Sequence, residues 1–315
     1  MNDQLVKISK NVLQKCLGLK KDECFLVVSD DIKKDLGKSL YEAGKQLGAE
    51  SMLMTMKERA KSGEEPPASV AAAMAAADVV VCITEHSLTH TRARKQAAAA
   101  GARLATMPGI TEDMFLEGAI SADYSKVKEL TERMTEILTN GKNVRIEKDG
   151  YTLSFSIDGR SGVSSTGLYL NPGESGNLPS GEAYIAPVEG TARGQILIDG
   201  SFAGIGTLES PVLLTIDQGR IVEAKGGVAE RLLKMLGSGD GRFLAEFGIG
   251  TNDKARITGV VLEDEKVFGT IHTAYGSNNT FGGMISAGVH IDGVVKQPDF
   301  YIDDQLIMKN GEFQF

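Results

Sequence analysis

Asp78-Val79-Val80-Val81-Cys82-Ile83-Thr84 decides the reading of the first half of this chain. Its centre is uninterrupted apolar residue, without the alternation of a strand that has one wet face. A short β-branched run covered on both sides is what the interior of a parallel sheet requires. Working outward, Cys24-Phe25-Leu26-Val27-Val28 repeats the pattern, Ser51-Met52-Leu53-Met54-Thr55-Met56 reads as another strand, and Arg103-Leu104-Ala105-Thr106-Met107 as a fourth. Helical periodicity fills the gaps: residues 32–48 ending at Gly48, the Ala-rich 68–77 with Pro67 suited to a first turn, and 89–100 closed by Gly101. Strand and helix in alternation predict a doubly wound α/β domain with a mostly parallel sheet. A long amphipathic helix over 123–139 ends at Asn140-Gly141.

Beyond residue 143 the texture changes to short alternating strands broken by glycine. Val144–Glu147 and Tyr151–Ile157 flank Lys148-Asp149-Gly150, a hairpin signal. Further strand-like runs are 183–187, 195–199, 211–216, 256–261 and 299–302, with one helix at 226–236. The expected organisation is an α/β domain over residues 1–140 and a β-rich α+β domain over 141–315.

At 315 residues the chain can bury a large core, and its formal net charge of −8 offers no general attraction to nucleic acid or anionic lipid. Tryptophan is absent and no basic block occurs, so base stacking is not expected. Cys16, Cys24 and Cys82 show no Cys-x-x-Cys spacing, which suits a reduced, cytoplasmic protein. No signal peptide is expected from the first residues, and no apolar run approaches the ~20 residues that span a bilayer. The first strand is followed by Ser29-Asp30-Asp31 rather than a glycine fingerprint, which argues against dinucleotide binding. The glycine clusters at 200–206 and 237–241 lack the strand–loop–helix order of a phosphate loop, and no Gly-x-Ser-x-Gly elbow is present.

Chemistry is expected in the second half. His290-Ile291-Asp292 places an imidazole and a carboxylate on one face of an apolar strand. His272 lies upstream in Gly269-Thr270-Ile271-His272-Thr273-Ala274-Tyr275-Gly276. Glu182 begins an otherwise apolar strand, and Glu246 stands between Ala245 and Phe247 before a Gly-x-Gly. Each could be an ordinary packed histidine or ion-paired acid. Together, two histidines and three carboxylates in apolar, glycine-bordered settings would suit Zn, Mn, Co or Fe, and five donors would suit two ions sharing a carboxylate. His86 and His90, four apart after a parallel strand, are read as structural or capping, with Ser87 or Thr89 as the cap; substrate contact and metal binding are the alternatives.

Asn177–Glu182, Glu246–Asn252, Asp264–His272 and His290–Asp292, with Ser87–Thr91 and Met107–Thr111 in the first half, resemble the thermophilic metallo-aminopeptidases of the aminopeptidase T group, over most of the chain. The resemblance implies an α/β first domain, a two-metal second domain and a homodimer. Its metal ligands would be Glu182, Glu246, His272, His290 and Asp292, holding two divalent ions (Zn, Co or Mn). Where those peptidases carry a tyrosine seven positions after the first histidine, this chain has Asn279, and Tyr275 is the substitute. A related build, 2,5-dihydroxypyridine dioxygenase, uses one non-haem iron.

Three functions follow. The first is a metal-dependent aminopeptidase acting on small peptides, with Tyr275 stabilising the oxyanion. The alternative is a mononuclear Fe(II) ring-cleaving dioxygenase acting on a small molecule, with His86 or His90 contributing. The third is a small-molecule-binding homologue without catalysis. A metal count discriminates them: two Zn, Mn or Co, one Fe, or none.

Overall fold

Val79–Ile83 is buried along its whole length in a parallel sheet. The computed structural model describes residues 3–315, which form two compact units. One comprises the described residues up to Ser125 and Gly167–Ser180, the other Lys126–Thr166 and Gly181–Phe315.

The first unit is built on five parallel strands in the order Glu50–Met56, Cys24–Asp30, Val79–Ile83, Arg103–Thr106 and Ser175–Asn177. Helices Lys34–Gln46, Ala68–Ala76 and Arg92–Ala99 alternate with them, as the apolar runs require. Three features depart from the reading. A helix at Asp3–Lys15 precedes the first strand. The fifth strand, Ser-Gly-Asn, has no β-branched residue, and a Cβ on its central Gly176 would sit 2.4 Å from the Tyr169 hydroxyl. The helix expected from residue 89 starts at Arg92 and is capped by Thr91, which accepts from the Arg94 amide. Thr89 instead bonds Thr106 (2.7 Å) and Asn177 (3.1 Å).

The second unit carries two sheets. Eight strands run in the order Arg220–Lys225, Val212–Asp217, Arg193–Ile198, Tyr151–Ser156, Asn143–Lys148, Asp299–Ile302, Gln305–Lys309 and Glu312–Phe313. Seven run Gly206–Thr207, Ser201–Phe202, His290–Lys296, Thr270–Gly276, Leu244–Gly250, Glu182–Ile185 and Val163–Ser165. Pairing is antiparallel in both. The expected hairpin is present, with Asp149 (φ 49°) and Gly150 (φ 84°) in the left-handed region that such a turn needs.

Residues 256–261, expected as a strand, form none. The amides of Thr258 and Gly259 donate to the buried Asp264 carboxylate (2.7 and 3.1 Å), so they are not available to a ladder.

One face of the seven-stranded sheet is the core. Phe247, Ile249, Ile271, Tyr275, Ile291 and Val295 meet Val144, Phe155, Ile196 and Phe300 of the larger sheet. Phe247 packs edge-on between Phe155 and Phe300, at centroid distances of 5.5 and 5.6 Å. Met134 and Leu138 of helix Tyr124–Asn140, and Leu232 and Leu236 of helix Ala229–Leu236, complete this core. No helix among the described residues is long and apolar enough to cross a membrane.

Because its ring fills the space between both sheets, Phe247→Ala is expected to cost about 3–5 kcal/mol. Urea unfolding followed by circular dichroism measures this; a loss below about 1 kcal/mol would contradict the packing.

Candidate metal centre

The side-chain period of a strand is two, so the sheet that turns Phe247, Ile271 and Ile291 into the core must turn their neighbours to its other face. Those neighbours are Glu246, His272, His290 and Asp292. The register makes them converge. Ala274 lies between Glu246 and Asp292 across three strands, Gly248 pairs with His272, and Gly250 pairs with Glu182.

Small residues at the centre leave room for the polar ends. A Cβ on Gly248 would stand 2.0 Å from His272 Nε2, and one on Gly250 would stand 2.0 Å from the Val267 carbonyl.

The five sequence-derived residues are thus brought together. His272 Nε2 is 3.3 Å from Glu246 Oε1 and 3.5 Å from Glu182 Oε2. His290 Nε2 is 3.4 Å from Glu246 Oε2 and 3.4 Å from Asp292 Oδ1. Glu246 and Asp292 each offer an atom within 4.8 Å of both histidines. Glu182, Glu246, His272 and Asp292 are buried, while the His290 side chain keeps 32% of its surface, which leaves the cluster open on that side.

Two residues missed by sequence reasoning join them. Glu265 lies within 4.8 Å of His272 and Asp292. Lys266, fully buried, bonds Glu182 Oε1 at 2.6 Å and also pairs with Glu265. Both residues lie in the family-like stretch Asp264–His272, where the sequence reading assigned them no role, and no local pattern marks them as interior. The segment is held inward because the Asn252 amide donates to the Lys266 carbonyl (2.9 Å) and this backbone crosses Gly250.

Tyr275 is not brought to the cluster. Three positions from His272, it points to the opposite face, into the core, where its hydroxyl meets Thr273 at 3.1 Å. Its hydroxyl is buried in that core, away from the cluster, so it is no oxyanion donor there. In the first unit, His86 is 3.5 Å from Glu58 and His90 is exposed.

The electrostatics are those of carboxylates looking for cations. Burial would raise the Glu246 pKa, but hydrogen bonds from His272 and His290 hold it near 2. Burial would lower His272, but its bond to Glu246 and the charge of Glu182 raise it to about 9. Burial would likewise lower His290, and Asp292 and Glu246 hold it well above 6.5. Glu265 is pushed up to about 8 by burial, against the pull of Lys266.

A metal ion fits these residues. Donors about 2.1 Å from an octahedral ion lie roughly 3 Å apart, close to the separations found. His290 Nδ1 is 2.8 Å from the Ser277 carbonyl; donating there leaves Nε2 free to ligate. Glu182 Oε2 is buried without a hydrogen-bond partner.

Over residues 4–315 the chain matches the family described as NicX, 2,5-dihydroxypyridine 5,6-dioxygenase, and it belongs to that family. Among solved structures it is similar to a 2,5-dihydroxypyridine dioxygenase from Pseudomonas putida KT2440, with a TM-score of 0.84, 19% identity, and coverage of 100% of this chain and 98% of the other. It is also similar to wild-type AmpT from Thermus thermophilus, with a TM-score of 0.73, 16% identity and coverage of 99% of both chains. No curated protein matches significantly. The fold likeness covers both families anticipated from the motifs, and the family match favours the dioxygenase over the aminopeptidase.

Two outcomes follow from the geometry. Gly248→Ala should displace His272 and weaken Mn(II) binding at least about tenfold, read by calorimetry, with the far-ultraviolet spectrum unchanged.

The metal-free protein should be most stable in mildly acid solution. Glu246 stabilises fully above 4.5 and loses its effect as pH falls through about 2. Glu265 and His272, both raised, stabilise fully below 4.5 and 6.5 and lose this as pH rises through about 8 and 9. Scanning calorimetry in chelator checks this, and an unfolding temperature that climbs from neutral pH toward 9 would contradict it.

Proposed function

We propose that this member of the 2,5-dihydroxypyridine 5,6-dioxygenase family is a mononuclear non-haem Fe(II) enzyme that opens a hydroxylated aromatic ring with dioxygen. The observation that carries the reading is Asp292, which lies within ligating distance of His290 and, in a second grouping, of His272, so that one carboxylate on a strand stands beside two imidazoles, with His290 on the open side. Two histidines and a carboxylate with free positions are the ligand pattern of Fe(II) oxygenases. Bound there, the iron would supply the redox chemistry that lets dioxygen react with the ring.

The chain's own residues prepare the site. Asp292 and Glu246 present negative charge to the Nε2 atoms of His290 and His272, and Ser277 orients the His290 ring. Glu182, Glu246, His272 and Asp292 are shielded from solvent, and His290 is the partly exposed member.

Tyr184, two residues from Glu182 on the same strand, packs edge-on against Phe281 at 5.4 Å. Phe281 packs edge-on against His290 at 6.0 Å. This row of rings beside the open ligand offers a planar aromatic substrate faces and edges to pack on. In the overall reaction one ring C–C bond breaks and both atoms of dioxygen enter the product, so no external reductant is needed.

The test is aerobic assay after anaerobic loading with Fe(II). Oxygen uptake equal to 2,5-dihydroxypyridine consumed, with no hydrolysis of aminoacyl anilides by Zn-, Co- or Mn-loaded protein, is expected. Anilide hydrolysis without oxygen uptake would replace this reading with the peptidase. His290→Ala should lose Fe(II) binding and turnover while its thermal unfolding stays cooperative. Binding as tight as in the parent would remove His290 from the ligand set.

A further inference from the structure

The cluster holds more negative charge than one ion needs. Glu182, Glu246, Glu265 and Asp292 are four carboxylates grouped around two imidazoles. Four carboxylates balance two divalent ions, yet a lysine is buried among them. Its ammonium is fully shielded from solvent, sits 2.6 Å from Glu182 Oε1 and pairs also with Glu265. A buried ammonium is costly to desolvate and persists only where opposite charge is fixed around it. The backbone enforces the position, since the amide of Asn252 holds the Lys266 carbonyl and the strand pair leaves only a glycine, Gly250, beneath that segment.

We propose that Lys266 is a built-in cation that takes the place of a second metal ion and so restricts the site to one. With all four carboxylates ionised, as a bound divalent ion favours, the ammonium and that one ion leave a single negative charge in excess. A second divalent ion would then leave the site net positive. It would also have to compete for a Glu182 oxygen that Lys266 already holds. Without the ammonium, one ion leaves two negative charges unmatched, and Glu182 and Glu265 become free to ligate. Lys266 is thus a specificity-determining residue for metal number. The inference rests on the proposed function only in taking the cluster as a metal site.

Mn(II), which is stable in air, is the probe. Full-length protein is titrated by calorimetry and examined by electron paramagnetic resonance. The parent should bind one Mn(II) per chain and give the signal of an isolated ion. Lys266→Met should bind two and show the broadened signal of a coupled pair, whereas Lys266→Arg, which keeps the charge, should stay at one. Lys266→Gln, which keeps a hydrogen-bond donor without the charge, is read in the same way if the Met variant does not accumulate. Two ions in the parent, or one in the folded uncharged variants, would overturn the proposal.

The outcomes separate from those of the functional reading. A parent with one ion and no oxygen uptake discards the dioxygenase but keeps the role of Lys266. A parent that consumes oxygen, with uncharged variants still at one ion, discards only the role of Lys266.

Discussion

Everything in the second unit answers to one constraint: four carboxylates, two imidazoles and an ammonium are held together largely out of water. Removing such groups from solvent costs several kcal/mol per ion unless opposite charge meets them. The seven-stranded sheet meets the cost by geometry. Its alternation sends Phe247, Ile271 and Ile291 to a dense apolar core and Glu246, His272, His290 and Asp292 to the opposite face. Stability comes from one face and chemistry from the other. Gly248 and Ala274 sit where larger residues would push the donors apart.

In the metal-free protein, protons on the histidines supply much of the balancing charge, which is why Glu246 is held low and His272 high. A divalent ion would exchange with those protons. The lysine does not exchange, because its stem is locked in the interior and its charge is matched by Glu182 and Glu265. On the role proposed for Lys266, the arrangement contains one position for a replaceable cation and one filled by the chain itself.

The likeness of this fold both to a dioxygenase and to AmpT shows how little the scaffold says about the reaction. In this chain the aromatic row Tyr184–Phe281–His290 stands at the open side of the donor cluster.

Much of this was legible in the residues. The uniform apolar run at 79–83 could only be a parallel interior strand, and the alternation around it carried the first unit's fold. His290-x-Asp292, and acids or imidazoles inside apolar strands, marked the cluster because the period of a strand is local and exact in register. The same period argues against Tyr275, an odd number of positions from His272, and the resemblance that suggested it overrode that arithmetic. What the tertiary structure alone decided is the company these groups keep: Ser175–Asn177 joining the parallel sheet, 256–261 leaving the strand pattern to cap Asp264, and Lys266 turned inward. Sequence determines which face a side chain takes, because that depends on its neighbours along the chain. It does not determine which distant charge lies opposite, because that depends on strand pairing and on backbone crossing a glycine far away in sequence.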